Sequence, residues 1–354
     1  MADRSHLPLV PAKAEIRPIL YRQFLPLCAY VVYQTYICAK LQRMEDNFMD
    51  ENMQPVSAAT NRIGSLSFGL QLLILVSLFA FCFLFAQMLS GVLIVAYYQT
   101  IDMKVIASNV YDLNTLRYSQ MLASLCSFLV PALIFSKLKN TSILKFSNAN
   151  HGFPMLFVVL VPILIYTIYP SINLVFYINK WMGFNAISAS AQADYKMLVD
   201  ALLKDKSISV LILNLITIAL IPALAEEWIF RGTFQQLLSE KLNIHIAVLL
   251  ASILFSLIHF EFSGFLPRIM LGMFLGYLFY YSSSLWISIF AHAINNGAQV
   301  ILVYLNNVGI YKIDINQPEL PKAWEFIVYS LLFIILWAVF YHFSHKGKNS
   351  TFAK

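Results

Sequence analysis

The stretch SISVLILNLITIALIPALAEEWIFR, residues 207–231, decides the fold class of this chain. From Ser207 to Ala225 it is an apolar run of nearly the length that a helix needs to cross the hydrocarbon core of a bilayer. It then delivers two adjacent carboxylates, Glu226 and Glu227, followed at helical spacing by Arg231. An ionisable group at membrane depth costs about 2.5–3.5 kcal/mol even on the mildest scale, so it is expected to face a protein interior or a wet cavity and to have a task there.

The rest of the sequence agrees with that setting. Of 354 residues, 59% are hydrophobic and only 12% charged, against about 25% charged in a soluble domain. Runs of about 20 apolar residues predict spans near 65–98, 117–136, 153–177, 207–227, 245–262, 266–282, 285–305 and 323–343. The expected fold is therefore all-α, a polytopic membrane helix bundle of about eight transmembrane helices. The first span is too long for one crossing and is expected to break near Ser90-Gly91 or to project from the bilayer. The stretch Phe24–Cys38 reads as an interfacial helix in preference to a span, and Met44–Asn61 as a loop. No cleavable leader is visible, because Pro8 and Pro11 interrupt a polar start. The organisation expected is an amino-terminal polar or interfacial segment (1–63), variable transmembrane helices (64–204), a core (205–305), and a last helix with a basic tail (306–354).

Charge and cysteine content exclude several functions. The net charge of +6 comes from loops and the tail, with no basic stripe interleaved with aromatics, so no nucleic acid is expected as a partner. Anionic headgroups are partner enough for basic loops, which makes the lipid bilayer itself a partner. Lys and Arg are more frequent on the side that would hold both ends of the chain, which favours cytoplasmic termini. Cys28, Cys38, Cys82 and Cys126 form no C-x-x-C pair, so neither a disulfide framework nor a thiolate metal site is expected.

The polar residues of the core segments carry the chemistry. On a helix Glu227 and Arg231 share a face, while Glu226 points about 100° away, so the arginine neutralises the second carboxylate and leaves the first free to act as a base. His259 shares a face with Phe255, and His292 with Asn296, each at i, i+4. Each residue alone has a bland reading: Glu227 with Arg231 as an ion pair joining helices, either histidine or Asn296 as a hydrogen-bonding link between helices. Several such groups in successive apolar segments point to one shared site.

Glu226-Glu227-x-x-x-Arg231, Phe255-x-x-x-His259 and His292-x-x-x-Asn296, in that order on consecutive hydrophobic segments, resemble the three motifs of the CPBP family, the CAAX proteases and bacteriocin-processing (Abi) enzymes. The resemblance covers about residues 205–305. It implies an intramembrane endopeptidase acting on a membrane-associated polypeptide, in which Glu226 activates the attacking water, His259 holds it, and His292 with Asn296 stabilises the oxyanion. Glu227 and Arg231 are implied as the supporting pair, with Phe255 beside them. This chemistry requires no cofactor. A zinc-dependent variant stays open, because Glu226, His259 and His292 are a legitimate three-ligand set with water in the fourth place, although the sequence has no H-E-x-x-H helix. Gly232 is expected to permit close packing, and Glu261 to point elsewhere, at the wet end of its helix. The protein is expected in a bacterial cytoplasmic membrane. The competing class is non-enzymatic: an immunity or scaffold protein, or a proton-coupled transporter. The sequence shows none of the repeated halves that transporters often carry.

Overall fold

Why the chain forms helices follows from its solvent: in hydrocarbon each unpaired backbone N–H or C=O costs several kcal/mol, and a helix pairs them within one segment. The computed structural model describes residues 63–102, 105–106, 113–184, 197–310 and 320–351, which belong to one compact unit, Asn61–Lys354. The stretch Phe24–Cys38 and the loop Met44–Asn61 lie outside the described residues, as do Cys28 and Cys38. Among the described residues there is no strand, and the long elements are α1 (Phe68–Tyr98), α2 (Asn114–Leu138), α3 (Leu156–Trp181), α4 (Ile208–Ser239), α5 (Ile244–Leu257), α6 (Phe265–Ser282), α7 (Leu285–Val308) and α8 (Ala323–Thr351). The molecule is a polytopic helical bundle.

The eight expected spans correspond to these eight helices. Six are long and apolar enough to cross a membrane: α1, α2, α3, α4, α7 and the Ala323–Ser344 part of α8. With 14 residues, α5 reaches about 21 Å, short of a hydrocarbon core of about 30 Å, and α6 carries Pro267 and Arg268 in its first turn. Of the two expectations for α1, the break at Ser90-Gly91 does not occur, since the helix runs unbroken through it. Two boundaries differ from expectation. Helix α4 does not stop at the carboxylates; Trp228, Ile229, Phe230, Phe234 and Leu237 keep it apolar and buried to Ser239. Helix α5 ends at Leu257, short of the expected 262, where Phe260 takes a positive φ of 51° and turns the chain towards α6.

Two large apolar clusters hold the bundle together. One joins α1, α2, α4 and α5 through Leu75, Phe79, Phe128, Phe135, Phe230, Phe234 and Phe255. The other joins α3, α6, α7 and α8 through Phe157, Leu164, Phe274, Leu275, Ile287 and Phe340. Exposed apolar side chains such as Phe81, Leu84 and Met88 on α1 and Leu331, Ile334 and Ile335 on α8 form the lipid-facing surface. Lipid is as apolar as leucine, so helices associate through close packing and polar contacts. Gly272 and Gly276 on α6 supply the close approach: a Cβ on Gly272 would lie 2.9 Å from the Ser252 Cβ of α5, and one on Gly276 would lie 2.8 Å from the Gln235 amide oxygen of α4. Gly232 behaves as expected, since its Cβ would meet that of Ser147 at 2.7 Å.

Helix α4 contains two π-helical turns, Leu215–Leu220 and Phe230–Gln235. The first immediately precedes Pro222, and the π turn Leu125–Leu129 of α2 likewise precedes Pro131. Proline lacks an N–H and its ring clashes with the carbonyl four residues back; a widened turn accommodates both defects without breaking the helix.

Candidate active site

Glu226 and Glu227 sit on the α-helical piece Ile221–Ile229 between the two wide turns. At 1.5 Å per residue they are about 27 Å from the Ile208 end of α4 and about 20 Å from the Ser239 end. Because α5 folds back from a short turn after Ser239, its 14 residues return the chain to the same level, where His259 follows. Helix α7 begins at Leu285, beside Gly232, so seven residues along it His292 arrives level with the carboxylates.

The expected pairing of Glu227 with Arg231 forms at 2.7 Å between Oε1 and Nη1, with both side chains essentially inaccessible. Arg231 also donates from Nη2 to the Gly272 carbonyl at 3.0 Å, and its guanidinium lies 4.8 Å from the centre of the Phe255 ring. Beyond the sequence reading, His292 Nδ1 also bonds Glu227 Oε1, at 2.9 Å. Its other ring nitrogen, Nε2, faces Glu226 Oε2 at 3.9 Å. His292 thus stands between the two carboxylates, anchored on one and turned towards the other. Glu226 has no arginine on it.

His259 is not buried in a helix as expected. It stands exposed on the turn after α5, with Nδ1 bonded to the Phe255 carbonyl at 2.8 Å. A carbonyl can only accept, so Nδ1 carries the proton and Nε2 presents a lone pair. The rings of His259 and His292 both pack edge-on to Phe255, at 5.2 and 5.7 Å between centroids, and the two histidines are close enough to interact electrostatically. Phe255 is thus the hub that joins the Glu227–Arg231 pair to both histidines. Asn296, half-buried on α7, accepts at Oδ1 from the Asn295 amide at 3.1 Å, which leaves its own NH₂ as the donor it can offer elsewhere.

The three donors Glu226, His259 and His292 do not form a metal centre here. Among the described residues no three His, Cys, Asp or Glu side chains come close enough together to hold an ion.

Several residues of this neighbourhood were not anticipated. The Tyr169 hydroxyl of α3 donates to Asn295 Oδ1 at 3.2 Å. Asn179, also on α3 and fully buried, clasps the chain between α5 and α6: its Nδ2 donates to the carbonyls of Phe262 (3.0 Å) and Ser263 (2.8 Å), and its Oδ1 accepts from the Leu266 N–H at 3.0 Å. Glu261, expected to point away into water, instead accepts from Arg268, from the Ser263 hydroxyl and from the Gly264 N–H. Tyr169 and Asn179 lie in apolar sequence with no motif around them. Arg268 alone gave a signal, as a cation within an apolar segment.

The geometry defines a class: an integral membrane protein with an acid, a paired acid and two imidazoles gathered where α4, α5 and α7 meet. Residues 208–298 match the family model described as type II CAAX prenyl endopeptidase Rce1-like, in agreement with the resemblance to the CPBP proteases. The match supports a membrane protease of the CAAX type and contains Glu226, Glu227, Arg231, Phe255, His259, His292 and Asn296. No curated protein and no solved structure matches the chain.

Proposed function

We propose that the protein hydrolyses a peptide bond of a membrane-associated polypeptide with a water activated by Glu226. The observation that carries this reading is the asymmetry of the paired carboxylates: Glu227 is saturated at one oxygen by Arg231 and His292, while Glu226 is left free of any arginine and faces His292 Nε2. Glu226 takes a proton from water as the hydroxide attacks the scissile carbonyl carbon, and passes that proton to the departing amine, leaving a carboxylate and a free amine. The His259 Nε2 lone pair accepts from the same water and fixes its position. The oxyanion of the tetrahedral intermediate receives hydrogen bonds from the Asn296 NH₂ and from His292 Nε2. Since Nδ1 of His292 faces a carboxylate, donation from Nε2 requires the ring to carry both protons; Glu226, Glu227, Arg231 and His292 then balance as two anions and two cations. Phe255 keeps the Glu227–Arg231 pair dry beside the reacting carboxylate.

In this reading the core is residues 205–305, and the protein resides in a bacterial cytoplasmic membrane with both termini cytoplasmic. The chemistry requires no metal. The test compares membrane peptide termini from cells carrying wild type or Glu226→Gln. New termini should disappear in the variant while the protein remains folded and inserted; full processing by Glu226→Gln would refute the assignment. Exhaustive chelation of the purified protein should leave cleavage intact. Loss restored by stoichiometric Zn²⁺ would replace this mechanism with a metal-assisted one.

A further inference from the structure

Arg268, on the first turn of α6, is a cation whose bonding is half complete. Its Nη1 is held by Glu261, while Nε and Nη2 are buried and have no hydrogen-bond partner. These two N–H groups are one edge of the guanidinium, a pair of parallel donors with the spacing that matches the two oxygens of a carboxylate. A buried donor without an acceptor is costly to the fold, and natural proteins rarely leave two on one side chain without a use for them.

The surroundings are built to present this edge. Glu261 fixes the guanidinium from the far side and is itself held by the Ser263 hydroxyl and the Gly264 N–H. Asn179 clamps the same chain segment to α3. Gly264 leaves the space the guanidinium occupies, since a Cβ there would lie 2.7 Å from Arg268 Nη1 and 3.1 Å from Glu261 Oε2. One-fifth of the side-chain surface is accessible, through atoms other than Nε and Nη2, and the guanidinium is near enough for its charge to act on His259.

We propose that the Nε and Nη2 edge of Arg268 is a subsite for a carboxylate of the substrate polypeptide, seated beside His259. The carboxylate comes either from the end of the substrate chain or from an acidic side chain near the scissile bond; both present the same two oxygens. This rests on the peptidase reading for the identity of the ligand, but it is tested by binding and not by turnover.

The full-length protein carrying Glu226→Gln, in lipid nanodiscs, is titrated with one fluorescent acylated hydrophobic peptide in three forms: free carboxyl terminus, terminal amide, and terminal amide with aspartate at the last position. At least one carboxylate form should bind about tenfold or more tightly than the plain amide, the factor that a hydrogen bond to a charged group supplies, and which form does so identifies the source. The preference should vanish in Arg268→Gln and be partly kept in Arg268→Lys, which retains charge without the fork. Equal affinity for all three forms, absence of binding included, overturns the proposal, as does a preference that survives Arg268→Gln. If wild-type protein binds carboxylate peptides selectively yet cleaves none, the subsite stands and the peptidase reading falls.

Discussion

Two glutamate–arginine pairs lie along the same stretch of this protein, and they are built for opposite ends. Glu227 and Arg231 are sealed between α4, α5, α6 and α7, where the guanidinium also reaches a carbonyl and an aromatic face. Glu261 and Arg268 sit between α5 and α6 with a fifth of each side chain accessible and one guanidinium edge unmatched. The first pair is an anchor that lets a carboxylate and an imidazole exist inside apolar packing. The second is a bracket with one side open. What separates them is the saturation of the guanidinium, more than charge or residue type.

The contrast breaks most sharply on removing each cation. Arg231→Ala strands Glu227 as an uncompensated buried charge and should cost about 3–5 kcal/mol of stability, read by chemical or thermal unfolding in detergent. Arg268→Ala removes a partly accessible pair and should cost under about 1 kcal/mol. Equal losses would show that the two pairs do the same job. A second comparison uses the glycines beside each arginine. Gly272→Ala drives a Cβ against the backbone of Ser252 at 3.2 Å and displaces the carbonyl that receives Arg231, so it should cost about 1–3 kcal/mol through overpacking. Gly264→Ala meets only side-chain ends and should leave the melting temperature nearly unchanged. At Asn179 the expected loss of stability is intermediate: Asn179→Ala orphans two carbonyls and one N–H, about 1–2 kcal/mol, but most of its consequence should be a fall in kcat through misplacement of His259. A loss of stability with kcat unchanged would make Asn179 structural glue alone.

The sealed half of the site was legible in the sequence, while the open half was legible only in part. Glu227 and Arg231 are four residues apart on one helix, so helical geometry sufficed, and the three spaced motifs named the same residues that the structure gathers. His292 on Glu227 was not foreseeable, because which carboxylate an imidazole meets depends on how α7 rotates against α4. The turn at His259 was missed because the apolar run continues to Phe262, and periodicity does not register where one positive φ ends a helix. Asn179 lies in an apolar run that reads as membrane span, and its function depends on a segment more than eighty residues away. Glu261 was read as solvated because its partner lies seven residues on, beyond the one-turn spacing at which a helix brings side chains together.

A π turn holds one residue more than the α turn it replaces, so each one advances the angular phase of a helix by about 100°. Helix α4 takes such a step on either side of Ile221–Ile229. The carboxylates therefore form a block whose heading is set independently of the lipid-facing stem Ile208–Asn214 and of the cap Gln236–Ser239. Apolar substitutions in the stem can drift without turning Glu226 away from His292. Deleting a single residue from Leu215–Leu220 would let that turn close as regular helix with the stem and the carboxylates still in register, whereas adding one residue there with no second wide turn to absorb it would swing the stem by about 100° relative to the carboxylates and force either the lipid face or the chemistry out of place.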